Sequence, residues 1–192
     1  MWKIIVAILM LILLTVDVVN ADVIAIYGDA QHADCNVVDD PKDELGQLIF
    51  YVFHYSAVGA LGSRFKAPYQ TCLAEYEFVY ESRPFAGTIG NSRVGVEIPY
   101  GSCLTGWIHI LTIYYYDPSN LGSPSCCQYP VLPHPSSPPG EIQTIDCTNM
   151  WVLGDGIPAI VNATPSCPCD FPTGLVDAQA TWGSIKALFG GE

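Results

Sequence analysis

The chain has 192 residues, 50% of them apolar, and a formal net charge of −12 from 7 Lys and Arg against 19 Asp and Glu. So acidic a surface repels phosphate backbones and anionic bilayers, which excludes nucleic acid as a partner and leaves no electrostatic route to a membrane. The length suffices for one domain with a real core.

In chain order, Lys3 is followed by the apolar run Ile4 to Leu14 and then by Val19-Asn20-Ala21, the layout of a cleaved secretory signal over residues 1–21. The run is shorter than the roughly 20 residues that span a bilayer, so cleavage is expected in place of an anchor. Asp22 and not a cysteine follows, which argues against a lipid-modified start. The mature protein is therefore expected to be secreted or periplasmic, with no membrane association. Residues 22–172 form the predicted domain, and 173–192 a tail.

Val23 to Tyr27 is the first predicted strand. The acidic stretch after it contains Asp34, Asp39 and Asp40, the only arrangement suggestive of calcium. Its spacing is not that of an EF-hand, and a solvated loop is the preferred reading, with no metal and no cofactor. Leu45 to Ser56 reads as a central strand, broken by Gly59 and Gly62, with Ser63 to Tyr69 as a short edge piece. Cys72 to Ser82 alternates cleanly, placing Cys72, Ala74, Tyr76, Phe78 and Tyr80 on one face. Val94 to Tyr100 and Cys103 to Tyr116 are predicted to pair as a hairpin across Gly101-Ser102, the second arm apolar on both faces. Gln128 to Leu132 and Glu141 to Cys147 are short strands. Asp155-Gly156 predicts a type I′ turn between Met150–Leu153 and Ile157–Asn162. Thr181 to Phe189 has a helical apolar face and a Thr cap.

Eight cysteines lie beyond the signal, Cys35, Cys72, Cys103, Cys126, Cys127, Cys147, Cys167 and Cys169. An even count behind an export signal predicts disulfides. The adjacent Cys126-Cys127 and the close Cys167-Pro168-Cys169 are each expected to reach separate partners, because relaxed disulfide geometry fits neighbours poorly. No CxxC spacing supports zinc. Many short strands separated by Gly and Pro turns predict an all-β, disulfide-stapled β-sandwich, immunoglobulin-like in architecture, with a short C-terminal helix; a barrel is the alternative.

No nucleophile elbow, zincin, P-loop or dinucleotide motif occurs. His54 and His109 fall within strands, where a hydrogen-bonded structural histidine is the default. The candidate binding residues are Tyr114, Tyr115 and Tyr116, since exposed rings on a sheet stack on sugars or anchor a protein partner. Alternation sends Tyr115 to the face opposite the other two. The expected function is a non-enzymatic binding module for a glycan or another exported protein. The alternative is a hydrolase-like enzyme using carboxylates or a histidine in a loop cleft.

The segments VIAIYGDAQHADC, YVFHYSAVGALGSRF, IGNSRVGVEIPYGSCLTGWIHILTIYY and TWGSIKALF, with the CPC pair, together resemble a group of secreted, cysteine-containing β-rich proteins of environmental bacteria. The resemblance implies export and a β-rich fold. It implies no reaction, and no catalytic residue can be carried over from it.

Overall fold

The computed structural model describes residues 22–38, 46–119 and 125–169. Within them the chain forms β1 (Asp22–Tyr27), β2 (Asn36–Val37), β3 (Gln47–Phe65), β4 (Glu77–Ser82), β5 (Ile89–Asn91), β6 (Gly95–Tyr116), β7 (Cys127–Tyr129), β8 (Ile142–Asp146), β9 (Trp151–Ile157) and β10 (Ala159–Val161), with a 3-10 turn at Thr71–Leu73. The signal segment, Asp39, Asp40 and the predicted helix at Thr181–Phe189 lie outside the described residues.

Seven strands form one sheet in the order β1-β9-β8-β3-β6-β4, with β5 on β6, and β1 also pairs with β3, so that β1, β9, β8 and β3 close into a ring. The remaining three strands make a small sheet, β2-β10-β7. Closure is possible because β3 is long enough to serve two partners. Its first half pairs with β1, from Tyr51 opposite Tyr27 to Tyr55 opposite Val23, and its second half pairs with β8, from Ala60 to Arg64.

The small sheet packs on the inner face of the large one. Phe50 of β3 stacks on Tyr129 of β7 at 4.1 Å between ring centroids, and Val37, Ala159 and Val161 join the same buried cluster. Tyr115 and Tyr129 share a hydrogen bond of 3.0 Å, and Tyr129 donates to the Ala67 carbonyl at 3.1 Å. Each large side chain fully buried here contributes about 1.5–3 kcal/mol of transfer free energy, and the two tyrosine hydroxyls stay partnered, as burial requires.

Several local expectations are corrected. Gly101-Ser102 is not a hairpin turn: Gly95–Tyr116 is one continuous strand, paired along its length with β3. Between Ala60–Leu104 and Gly62–Pro99 the register advances two residues on β3 and five on β6, so Tyr100 to Cys103 form a bulge, with Gly101 at φ 75°. The positive φ serves that bulge, because β3 already satisfies the main chain on both sides of it. Gly59 and Gly62 likewise do not break β3, and Ser63 and Arg64 lie between β6 and β8, not at an edge. Asp155-Gly156 is no turn either, since Trp151–Ile157 is a single strand. A Cβ on Gly156 would stand 2.5 Å from Ile142 Cδ1 and 2.8 Å from the Val131 carbonyl oxygen, so the glycine serves close packing. The β8–β9 turn lies earlier, where the Asp146 carboxylate accepts from the amides of Thr148 (2.8 Å) and Met150 (2.9 Å). In the Cys72–Ser82 stretch the alternation fails: residues 71–73 turn, and a bulge between Phe78 and Tyr80 sends Phe78 to the inner cluster and Tyr80 outward.

Four disulfides staple the layers: Cys35–Cys169, Cys72–Cys127, Cys103–Cys147 and Cys126–Cys167, with Cα–Cα separations of 5.7, 5.8, 5.4 and 5.8 Å. As expected, neither close pair bridges internally, and each member reaches a different element. The fold is all-β and disulfide-stapled.

Candidate binding face

The three consecutive tyrosines are divided by the pleat. Tyr115 is fully buried in the core, whereas Tyr116 is 43% exposed and Tyr114 half-buried on the opposite, outer face. There Tyr114 stacks on Tyr80 of the bulged β4, with ring centroids 4.3 Å apart and planes 14° from parallel.

Tyr114 is one end of a larger array. Cross-strand pairing of β3 with β6 sets Ile49 opposite Tyr114, Tyr51 opposite Thr112, Phe53 opposite His109 and Tyr55 opposite Trp107. Such pairs on one face touch because opposed Cβ atoms lie about 5 Å apart. His109 sits 5.1 Å from Phe53 and 6.1 Å from Tyr51, and Trp107 lies 5.0 Å from Tyr55, all between centroids. Tyr27 of β1 meets Phe53 and Trp107 edge-on at 5.6 and 5.7 Å. Phe53 and Tyr27 are buried, with Val23 and Ala25 beside them, and form a floor; Tyr51, Tyr55 and Trp107 stand partly exposed around it. The His109 Nε2 atom is 2.9 Å from the Thr112 hydroxyl, which fixes the ring; burial lowers the pKa of His109, partly opposed by the Leu111 backbone, and favours its neutral form.

A loop closes one side. The Asp29 carboxylate accepts from the amides of Gln31 (2.7 Å), Ala33 (3.1 Å) and Asp34 (2.6 Å), and Gly28 N–H donates to the Asp34 carbonyl at 2.8 Å. The turn carries His32, at φ 52°, onto the face, 5.0 Å from Trp107 and 5.2 Å from Phe53. Asp34 itself accepts from the Asn36 amide at 2.8 Å, and no group of three or more metal-ligating side chains is found among the described residues.

The opposite face of β3 carries His54, where the sequence made a structural histidine the default. It is fully buried inside the strand ring, with Nδ1 2.7 Å from the Tyr100 hydroxyl, which donates onward to Ser63 at 2.9 Å. Its Nε2 faces the Asp22 carboxylate at 3.6 Å, and Thr144 donates to the other Asp22 oxygen. The pair has acid–base chemistry but is sealed, at 0% and 2% exposure, so a substrate does not reach it.

A second feature is a cleft of about 200 Å³ between Ile89, Pro99, Ile145 and Trp151. The Arg64 guanidinium covers the Trp151 ring at 4.0 Å and lies 3.8 Å from Glu97. Glu97 is the carboxylate that lines this cleft, and His134 lies near enough to feel the charges of Glu97 and Arg64.

Of the ring array, the sequence singled out only Tyr114. The signal for the rest was alternation within β3: Tyr51, Phe53 and Tyr55 are aromatic on the face opposite Val52, His54 and Ser56. Trp107 and His109 continue it only once the register is known, and His32 enters through a loop that no periodicity describes.

No family model matches the chain, and no curated protein matches it in sequence. Among solved structures, it is similar to the sixth cohesin of scaffoldin B from Acetivibrio cellulolyticus, crystallised with a Cel5 dockerin, with 12% identity, TM-score 0.48 and coverage of 75% of this chain and 99% of that one. It is also similar to the seventh ScaB type I cohesin from Pseudobacteroides cellulosolvens (13% identity, TM-score 0.46, 79% and 97% covered). A third likeness is to a non-cellulosomal cohesin from the archaeon Archaeoglobus fulgidus (10%, TM-score 0.43, 73% and 91%).

Proposed function

We propose that this protein is an exported binding module that engages its partner through the outer face of β1, β3, β6 and β4. The observation that carries the proposal is the continuous array from Tyr55 and Trp107 through His109 and Tyr51 to Tyr114 and Tyr80. Its rings are partly exposed, and those of Tyr51, Tyr55 and Trp107 pack against the buried floor of Phe53 and Tyr27. Rings held this way lose little freedom on binding, the property that makes aromatic surfaces efficient recognition sites. The four disulfides support an oxidising, extracytoplasmic compartment. The sealing of His54 supports reading the buried acid–base pair as structural.

The test is retention of extracellular polymers from the source organism on the immobilised protein. Saturable retention is expected from the parent. It should be lost in a Tyr51→Ala/Tyr80→Ala double variant whose thermal unfolding remains cooperative. Equal retention by parent and variant, or none by either, would overturn the assignment of this face.

A further inference from the structure

We infer that the ligand of this face is a neutral polysaccharide; the inference rests on the face being the binding site and adds the chemistry of its occupant. The first argument is charge. In a chain of net charge −12, none of the cross-paired positions Ile49–Tyr114, Tyr51–Thr112, Phe53–His109 and Tyr55–Trp107 carries a charged side chain. Among the described residues, acidic groups stand at the margins: Glu77 opposite Tyr116, Asp155 of β9 beside Val23, and Asp29 acting on His32 and Tyr27. A phosphate or carboxylate ligand meets no cation here among the described residues and is repelled by these marginal carboxylates. A cationic ligand finds no carboxylate among the rings with which to pair.

The second argument is shape. Three inter-strand spacings of about 4.8 Å separate four neighbouring strands, so a face crossing β1, β3, β6 and β4 extends roughly 14 Å across the sheet. That is a strip of sheet surface several strands wide, which suits an extended polymer better than a single small molecule. The most exposed large apolar side chains among the described residues, which a protein partner would bury most profitably, are Ile89 (68%), Val38 (63%) and Val94 (63%), none of them in the ring array.

The third argument is the pairing of apolar faces with polar tips. Tyrosine hydroxyls at Tyr51, Tyr55, Tyr80 and Tyr114, the indole N–H of Trp107 and the imidazole of His109 fringe the strip. Sugar rings match both halves of that chemistry, an apolar C–H face against the aromatic ring and hydroxyls at its rim. Burial favours the neutral form of His109, which keeps the strip uncharged.

The experiment is calorimetric and fluorescence titration of the disulfide-intact protein with an array of neutral oligosaccharides, including gluco-, manno- and xylohexaoses. Polygalacturonate and chitosan oligomers serve as charged comparisons, and periodate-oxidised, borohydride-reduced extracellular protein, its sugar rings cleaved, as one without intact glycan rings. At least one neutral series is expected to bind, more tightly as chain length grows and with no loss of affinity at high salt. Tyr51→Ala and Tyr80→Ala should each weaken it by about tenfold, while the Tyr115→Phe variant, altered only in the core, should bind as the parent does. Binding of the oxidised protein fraction with no neutral glycan bound overturns the ligand class and leaves the face standing. Binding of neither, or glycan binding unaffected by Tyr51 and Tyr80, overturns both.

Discussion

Inside the strand ring, hydrogen-bond direction constrains His54. The Tyr100 hydroxyl donates to Ser63, so its oxygen accepts from His54 Nδ1–H, and Nε2 is left facing Asp22 Oδ1 with no other partner for either atom. A buried pair of this kind is worth little over an apolar replacement, yet costly to halve. His54→Leu strands the Asp22 carboxylate and is expected to cost about 3–5 kcal/mol, read as a drop in the urea midpoint. For Asp22, burial acts to raise the carboxyl pKa, but interactions with His54, Ser56 and Thr144 outweigh it and hold the pKa below the ordinary value of 3.8. A carboxyl depressed in the folded state stabilises the fold above its unfolded pKa and ceases to do so as pH falls through the folded one. The parent should therefore lose stability below about pH 4 more steeply than the Asp22→Asn variant. Urea titrations across that range test it; parallel curves would show that Asp22 contributes nothing to acid sensitivity.

At the scale of elements, β3 and β6 organise everything else. Each is apolar on both faces over much of its length, which satisfies the core on one side and the ring array on the other. Gly59 lies in an irregularity of β3 itself, between the pairs Ser56–Gly106 and Ala60–Leu104, and fits it beside the neighbouring crosslink. Its φ is +102°, and a Cβ there would lie 2.7 Å from Cys147 Sγ and 2.8 Å from Cys103 Sγ. Gly59→Ala is expected to hinder closure of Cys103–Cys147, so that thiol titration of the folded variant finds reactive cysteine where the parent has none. A fully oxidised variant of unchanged melting temperature would refute that role. The strand character of 47–65 and 95–116 is plain in their β-branched and aromatic content, whereas their continuity is not. A glycine with positive φ looks the same in sequence whether it closes a hairpin or opens a bulge, and only a partner strand of matching length distinguishes the two.

For the molecule as a whole, the disulfides join elements that backbone pairing alone would leave apart. Cys72–Cys127 ties the 3-10 turn to β7, and Cys35–Cys169 ties the loop beside His32 to the end of the described chain. Peptide mapping under non-reducing conditions should recover these two links together with Cys103–Cys147 and Cys126–Cys167. Breaking Cys72–Cys127 by paired Ala substitution should cost about 2–5 kcal/mol. Recovery of a Cys126–Cys127 or Cys167–Cys169 bridge would contradict the architecture.

The sequence by itself determined the all-β class, the acidic and oxidised character, and the separate destinations of the paired cysteines, because composition, period-two patterning and local covalent geometry act over a few residues. Tertiary structure alone decided which strands are neighbours. Register between segments some 50 residues apart is set by packing and main-chain pairing, not by anything local. That register assembles Tyr51, Tyr55, Trp107, His109, Tyr114 and Tyr80 into one face and withdraws Tyr115 and His54 from it.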